Sequence, residues 1–184
     1  MDLNAIVLEA FTNVASSIPW WLWCIVAGLM VIRFQFGNTR HLVNIFKARK
    51  ALTALRKIES PAQQFSFLRK VDPFIFEEMI LTSLADTGAK IKRNHRYTGD
   101  GGIDGRATIK GTKYLIQAKR YKGHISAQHV KEFADICRRQ RKKGLFIHTG
   151  KTGKQAWNNA SGDQVTVISG AKMLGLMNAK AGAV

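Results

Sequence analysis

Three side chains near the middle of this chain have the right types and spacing for chemistry. The glycine-rich stretch "GDGGIDG" carries Asp104, and "KYLIQAKRY" follows with a Gln-x-Lys triplet, Gln117 to Lys119. In a strand, side chains alternate faces, so Leu115, Gln117 and Lys119 share one face and Tyr114, Ile116 and Ala118 the other. "IDGRATI" and "KYLIQAK" are alternating runs joined by "KGT", a hairpin signal. Such a hairpin returns Asp104 to the neighbourhood of Gln117 and Lys119. One carboxylate, one amide oxygen and one ammonium then meet at one end of a sheet.

That set suits hydrolysis of a phosphodiester. A hard divalent cation such as Mg²⁺ takes oxygen ligands and keeps several waters. It polarises a phosphoryl oxygen and lowers the pKa of a water nucleophile. Asp104 is expected as the main ligand, and Gln117 as a neutral oxygen ligand or the positioner of a water. Lys119 is expected to orient the attacking water or steady charge on the phosphate. A second carboxylate is available from "FEEM", which offers Glu77 and Glu78. Gly99, Gly101, Gly102 and Gly105 let the backbone turn sharply and let a bulky substrate approach.

The elements that must position these groups are legible around them. "DPFIFEEMILTSLADTG" predicts a helix with Asp72 as N-cap, Pro73 in the first turn and Gly88 as the stop. "AKIKRNH" predicts a strand before the hairpin. "AQHVKEFADICRRQRKK" reads as a helix, "GLFIHT" as a strand, "GKQAWNNA" as a helix, "QVTVIS" as a strand and "AKMLGLM" as a last helix. Strands first paired by hairpins and later separated by helices predict an α/β domain over residues 64–184. Its mixed β-sheet is flanked by helices on both faces.

The 184 residues carry a net charge of +17. Residues 1–36 hold only Asp2, Glu9 and Arg33 as charges, so the positive excess lies in 37–184. A segment that basic is drawn to polyanions, either nucleic acid or anionic lipid. The two cysteines, Cys24 and Cys137, sit in unlike surroundings and predict no disulfide.

From Phe11 to Ile32 no residue is charged, and the core of the run reads "IPWWLWCIVAGLMVI". That length predicts a single transmembrane anchor within 11–36, with Trp20, Trp21 and Trp23 at one interface and Phe34 and Phe36 at the other. Residues 1–10 form a short N-terminus. The basic residues after the run, from Arg33 and Arg40 to Lys57, predict the N-terminus outside and the bulk of the chain in the cytoplasm, at the inner membrane. Residues 37–63 read as a basic juxtamembrane helix, with Leu42, Ile45, Phe46, Leu52 and Leu55 at helical spacing, ended by Pro61. It suits either anionic headgroups or DNA phosphates, and its place beside the anchor favours headgroups.

Taken in order, "FEEM", "GDGGIDG", "IQAKRY", "HVKEF", "GLFIHTG" and "VTVISG" resemble the Mrr-type restriction endonuclease catalytic domain of the PD-(D/E)xK nuclease superfamily. The likeness covers about residues 70–175, and its specific part is Asp104, twelve residues, then Gln-x-Lys. The resemblance implies a magnesium-dependent DNA endonuclease of the restriction type, with Mn²⁺ as a substitute ion and no small-molecule cofactor. It assigns Asp104, Gln117 and Lys119 to the catalytic core and Glu77 as the helix acid, so that Asp104, Gln117 and Glu77 hold the metal. Gln117 stands where the wider superfamily has glutamate, as is usual in the Mrr branch. Cutting both strands would need two sites, and so a homodimer.

Arg120, Tyr121 and Lys122 lie just past the catalytic strand and are candidate DNA contacts. Arg138 and Arg139 in "CRRQRKKG" and Lys151 in "TGKTGK" are further phosphate candidates. "TGKTGK" is not a phosphate-binding loop, because Leu145 stands where its first glycine is needed. "DGGIDG" lacks calcium-loop ligands, and the histidines lack zinc spacing. Two other functions fit the same features: a DNA-binding membrane tether that no longer cuts, and a membrane-assembly component.

Overall fold

The computed structural model describes residues 19–94, 102–160 and 164–179. The expectations for residues 1–18, for His95 and for Gly99 and Gly101 lie outside them. The chain divides into two units, Met1–Arg40 and His41–Val184.

In the first unit the described part belongs to helix α1, Trp20–Leu55, which continues into the second. The transmembrane helix expected within 11–36 is not found: among the described residues, no helix is long and apolar enough to cross a membrane. Residues 11–18 of the expected span lie outside the described residues. The uncharged part of α1 runs from Trp20 only to Ile32, about 20 Å at 1.5 Å per residue, against about 30 Å of hydrocarbon. The side chains of residues 20–31, including Trp20, Trp21, Trp23, Ile25 and Leu29, are exposed.

The second unit holds the rest. After α1 come α2 (Pro61–Leu68), α3 (Pro73–Asp86), β1 (Lys90–Arg93), β2 (Gly105–Ile109) and β3 (Thr112–Lys119). Then follow α4 (Ala127–Arg139), β4 (Lys143–His148), α5 (Lys154–Ala160), β5 (Val165–Ile168) and α6 (Gly170–Asn178). The five strands form one sheet in the order β1-β2-β3-β4-β5. β1, β2 and β3 pair antiparallel, and β3, β4 and β5 pair parallel. This is the expected mixed sheet. The β2–β3 turn is two residues, Lys110 and Gly111, both at positive φ (46° and 80°), the backbone of a tight hairpin turn.

Alternation along the strands divides the core in two. Ala107, Ile116, Ala118, Leu145 and Ile147 pack under α1, α2, α3 and α6. Leu115, Phe146, Val165 and Val167 pack under α4 and α5. The helix expected to lie on headgroups instead gives Ala48, Leu52 and Leu55 to the first core, all fully buried. Arg56, just past it, donates from Nε to the Met177 carbonyl (2.9 Å) and pairs with Asp86 (2.9 Å). Pro61 does more than end a helix, since it begins α2.

Candidate active site

The site forms where the hairpin meets the start of α3 and α4. Helix α3 begins as its sequence predicts. Asp72 Oδ1 accepts from the Phe74 and Ile75 amides (2.9 and 3.3 Å), and Pro73 occupies the first turn without losing a needed donor. The next turn presents Glu77 and Glu78 in different directions. Glu78 is buried, with Arg93 Nε at 2.8 Å and His41 Nδ1 at 3.4 Å. Glu77 instead lines a cavity of about 360 Å³ together with Asp104, Gln117, Lys119, Arg120, Tyr121 and His129.

Asp104 is tied to β3 by its backbone and its side chain at once. Its amide donates to the Ile116 carbonyl (2.9 Å), and its Oδ2 accepts from the Ala118 amide (2.6 Å). The carboxylate thus takes a place on the sheet ladder just before β2 begins. Beside it, Gln117 Nε2 donates to the Gly102 carbonyl (2.6 Å). That bond orients the amide and leaves its other end, Oε1, buried without a hydrogen-bond partner.

The electrostatics are those of crowded anions. The Glu77 carboxyl is pushed up to about 8, first by burial, then by Asp104, Glu78 and Asp72, with Lys119 opposing. A buried orphan oxygen beside a carboxyl and a carboxylate that repel one another fits a hard cation, which would satisfy all three. The donors are two acids and an amide. Among the described residues there is no cluster of three or more His, Cys, Asp and Glu suited to a metal.

The cavity wall is braced by β4. Thr149 Oγ1 accepts from the Tyr121 amide and donates to its carbonyl, both at 2.9 Å. The Tyr121 ring meets the His148 ring edge-on, with centroids 6.2 Å apart. His148 is fully buried, and burial lowers its pKa to about 4, which keeps the imidazole neutral to accept from the Gly150 amide (3.1 Å). Tyr121 Oη lies 2.5 Å from His129 Nδ1. Arg120 donates from Nη1 to the Arg69 carbonyl, and its Nε is buried without a partner.

Asp104, Gln117, Lys119, Glu77, Arg120 and Tyr121 therefore share one cavity. Lys122, Arg138, Arg139 and Lys151 do not line it; all four are exposed. Arg138 lies nine residues along α4 from His129, about 13 Å away, and pairs with Asp135 at 2.7 Å. His129 was not anticipated. The available signal was its place in the first turn of α4, three residues after the N-cap Ser126.

One solved structure, described as a protein of unknown function, AF1548, aligns at 18% identity and TM-score 0.43, over 55% of this chain and 64% of that one. SfsA of Pyrococcus furiosus in complex with Ca²⁺ aligns at 16% and 0.34, over 52% and 54%. The DNA modification-dependent restriction endonuclease AspBHI aligns at 22% and 0.40, over 71% of this chain and 35% of that one. The matched part of this chain thus spans less than two thirds of each of these structures. No curated protein matches the chain. Residues 68–177, more than half of the chain and all of the site, match the restriction endonuclease family defined by the Mrr catalytic domain. By that match the chain belongs to the Mrr-type restriction endonuclease family.

Proposed function

We propose that this chain is a metal-dependent endonuclease that hydrolyses DNA phosphodiester bonds, with Asp104, Gln117, Lys119 and Glu77 as its working residues. The observation that carries the reading is Gln117 Oε1, buried and unpartnered in the same cavity as Asp104 and Glu77. Asp104, Gln117 and Glu77 would hold Mg²⁺, with Mn²⁺ as a substitute. When bound, the ion supplies Lewis acidity toward the phosphoryl oxygen and charge neutralisation in the transition state. Lys119, next but one to Gln117 on the same strand face, donates to a phosphate oxygen and orients the attacking water. Arg120 and Tyr121 hold the phosphate chain against the wall. Two copies of the site, in a homodimer, would serve the two strands of a duplex.

The test is incubation of the full chain with supercoiled plasmid and Mg²⁺, beside Asp104→Ala and Lys119→Ala. Nicking or linearisation by the parent alone is the expected result. DNA binding without cutting in all three would make the chain a DNA tether. Equal cutting in all three would put the site elsewhere.

The exposed tryptophans and aliphatic side chains of Trp20–Val31 support a second part of the reading. With the uncharged residues before them they would attach the nuclease to the inner membrane, leaving the domain in the cytoplasm. Recovery of the full chain in an alkali-washed membrane fraction is expected, and recovery in the soluble fraction would overturn it.

A further inference from the structure

The face of the sheet that α4 and α5 cover is not covered everywhere. β1 and β2 give no residue to the core beneath those helices. Their side chains on this face stand open instead, and they are basic. Lys90, Lys92, Arg106, Thr108, Lys113 and Lys142 line a second cavity of about 230 Å³, and no acid lines it. Cross-strand register brings them together. Lys90 faces Thr108, which faces Lys113, and Lys92 faces Arg106. Paired residues project to the same side of a sheet, so these five share one face by geometry rather than by side-chain flexibility. Arg106 is further oriented by donating from Nη1 to Asn94 Oδ1 (2.9 Å).

The array is wider than a single phosphate needs. Lys90 and Lys92 are two residues apart, about 6.6 Å, and β1 to β3 spans about 10 Å. It is also continuous with the candidate active site. Asp104 lies two residues before Arg106 and four before Thr108, a strand length of about 13 Å. One DNA strand advances about 3.4 Å per nucleotide, so that length matches about four nucleotides. Lipid fits less well. Headgroup sites place apolar side chains next to their cations, and among the described residues no exposed large hydrophobic lies on β1, β2 or β3.

We propose that the open face of β1–β3 is a second DNA-binding surface, gripping the phosphate backbone about four base pairs from the phosphodiester that lies at Asp104. The inference rests on the nuclease reading and adds to it where the flanking duplex runs. Contacts of this kind fix position and register without reading sequence. They hold the scissile bond over the site and leave the choice of sequence to other parts of the molecule.

The test uses the full chain, a fluorescent 25-base-pair duplex and EDTA, so that binding is measured without cutting. Affinity is followed against salt for the parent, for Lys90→Ala/Lys92→Ala/Lys113→Ala, and for Lys172→Ala as an exposed charge on α6, outside every proposed DNA contact. The three lysines are exposed, so the fold tolerates the change. The slope of log affinity against log salt should fall by about 0.9 for each lysine removed, and equally for duplexes of unrelated sequence. An unchanged slope in the triple variant overturns the proposal. So does a triple variant that loses binding to phosphatidylserine vesicles but not to DNA. The plasmid assay separates the two readings. Cutting by the parent with an unchanged slope in the triple variant sinks this inference alone. A parent that never cuts, with the slope reduced as expected, sinks the nuclease reading and leaves the surface.

Discussion

Gly102 and Gln117 are fitted to each other at two points. The Gly102 carbonyl accepts from Gln117 Nε2 at 2.6 Å, and a Cβ built on Gly102 would stand 2.5 Å from that same nitrogen. The glycine is also at φ +81°, where a side chain is strained. The absence of a side chain at 102 is thus what lets the Gln117 amide turn its oxygen away from the backbone. Gly102→Ala should displace that amide. The φ value alone costs about 1–2 kcal/mol of stability. Misplacing a ligand by about an ångström should cost cutting on the order of 100-fold. Thermal melting and plasmid cutting measured together check both. A variant that melts lower but cuts at the parent rate would separate Gln117 from the chemistry.

Glu77 and Glu78 are neighbours in sequence with opposite expected outcomes. Glu78 is buried against Arg93 and His41, and its removal takes the shared carboxylate from both. Glu78→Ala should destabilise the fold by about 3 kcal/mol, the range for breaking a buried ion pair from one side. Glu77→Gln replaces a carboxyl that burial and its neighbours already keep protonated below about pH 8. It should fold as well as the parent and lose cutting and metal affinity. Urea melts and a Mn²⁺ titration distinguish the two, and the reverse pattern would exchange their roles.

What could be read from the sequence follows from how local each signal was. Asp104, Gln117 and Lys119 were legible because strand alternation and a two-residue turn fix their relation within sixteen residues. The choice of Glu77 over Glu78 came from family likeness alone. The two differ by about 100° around one helix, and the roll of that helix is set by Phe76, Met79 and Ile80 in a core made by distant segments. His129 was not legible, because its partner Tyr121 reaches it through the fold. The end of α1 misled for a similar reason. Leu52 and Leu55 at helical spacing report an apolar face, and only tertiary packing says whether core or lipid covers it.

The raised Glu77 carboxyl sets a pH dependence with a definite sign. Its ordinary value is 4.5 and its value in the folded chain about 8. Between these the folded, metal-free protein holds a proton that the unfolded chain has released. This group's contribution to stability is full below about pH 4.5 and is lost as pH rises through about 8. Metal binding runs the other way, because a ligand must be ionised. Apparent Mg²⁺ affinity should rise by up to about tenfold per pH unit toward 8 and then level, with proton release on binding. Calorimetric titration in buffers of different ionisation enthalpy measures that proton. Glu77→Gln should abolish it, and release that persists in the variant would assign it to another group.

Tyr121 and His129 should behave as one unit. Their 2.5 Å contact joins the residue just past β3 to the first turn of α4 and forms part of the cavity wall. Tyr121→Phe keeps the ring that meets His148 and removes only the hydroxyl. His129→Ala removes the other half of the bond. A hydrogen bond of this kind contributes about 1 kcal/mol, so each single change should raise the DNA concentration for half-maximal cutting about fivefold. The double variant should do no worse than either single one, since the same bond is lost each time. If the effects multiply instead, each side chain meets the DNA on its own account. There would then be no coupling between the two, and the wall would hold DNA through two separate contacts.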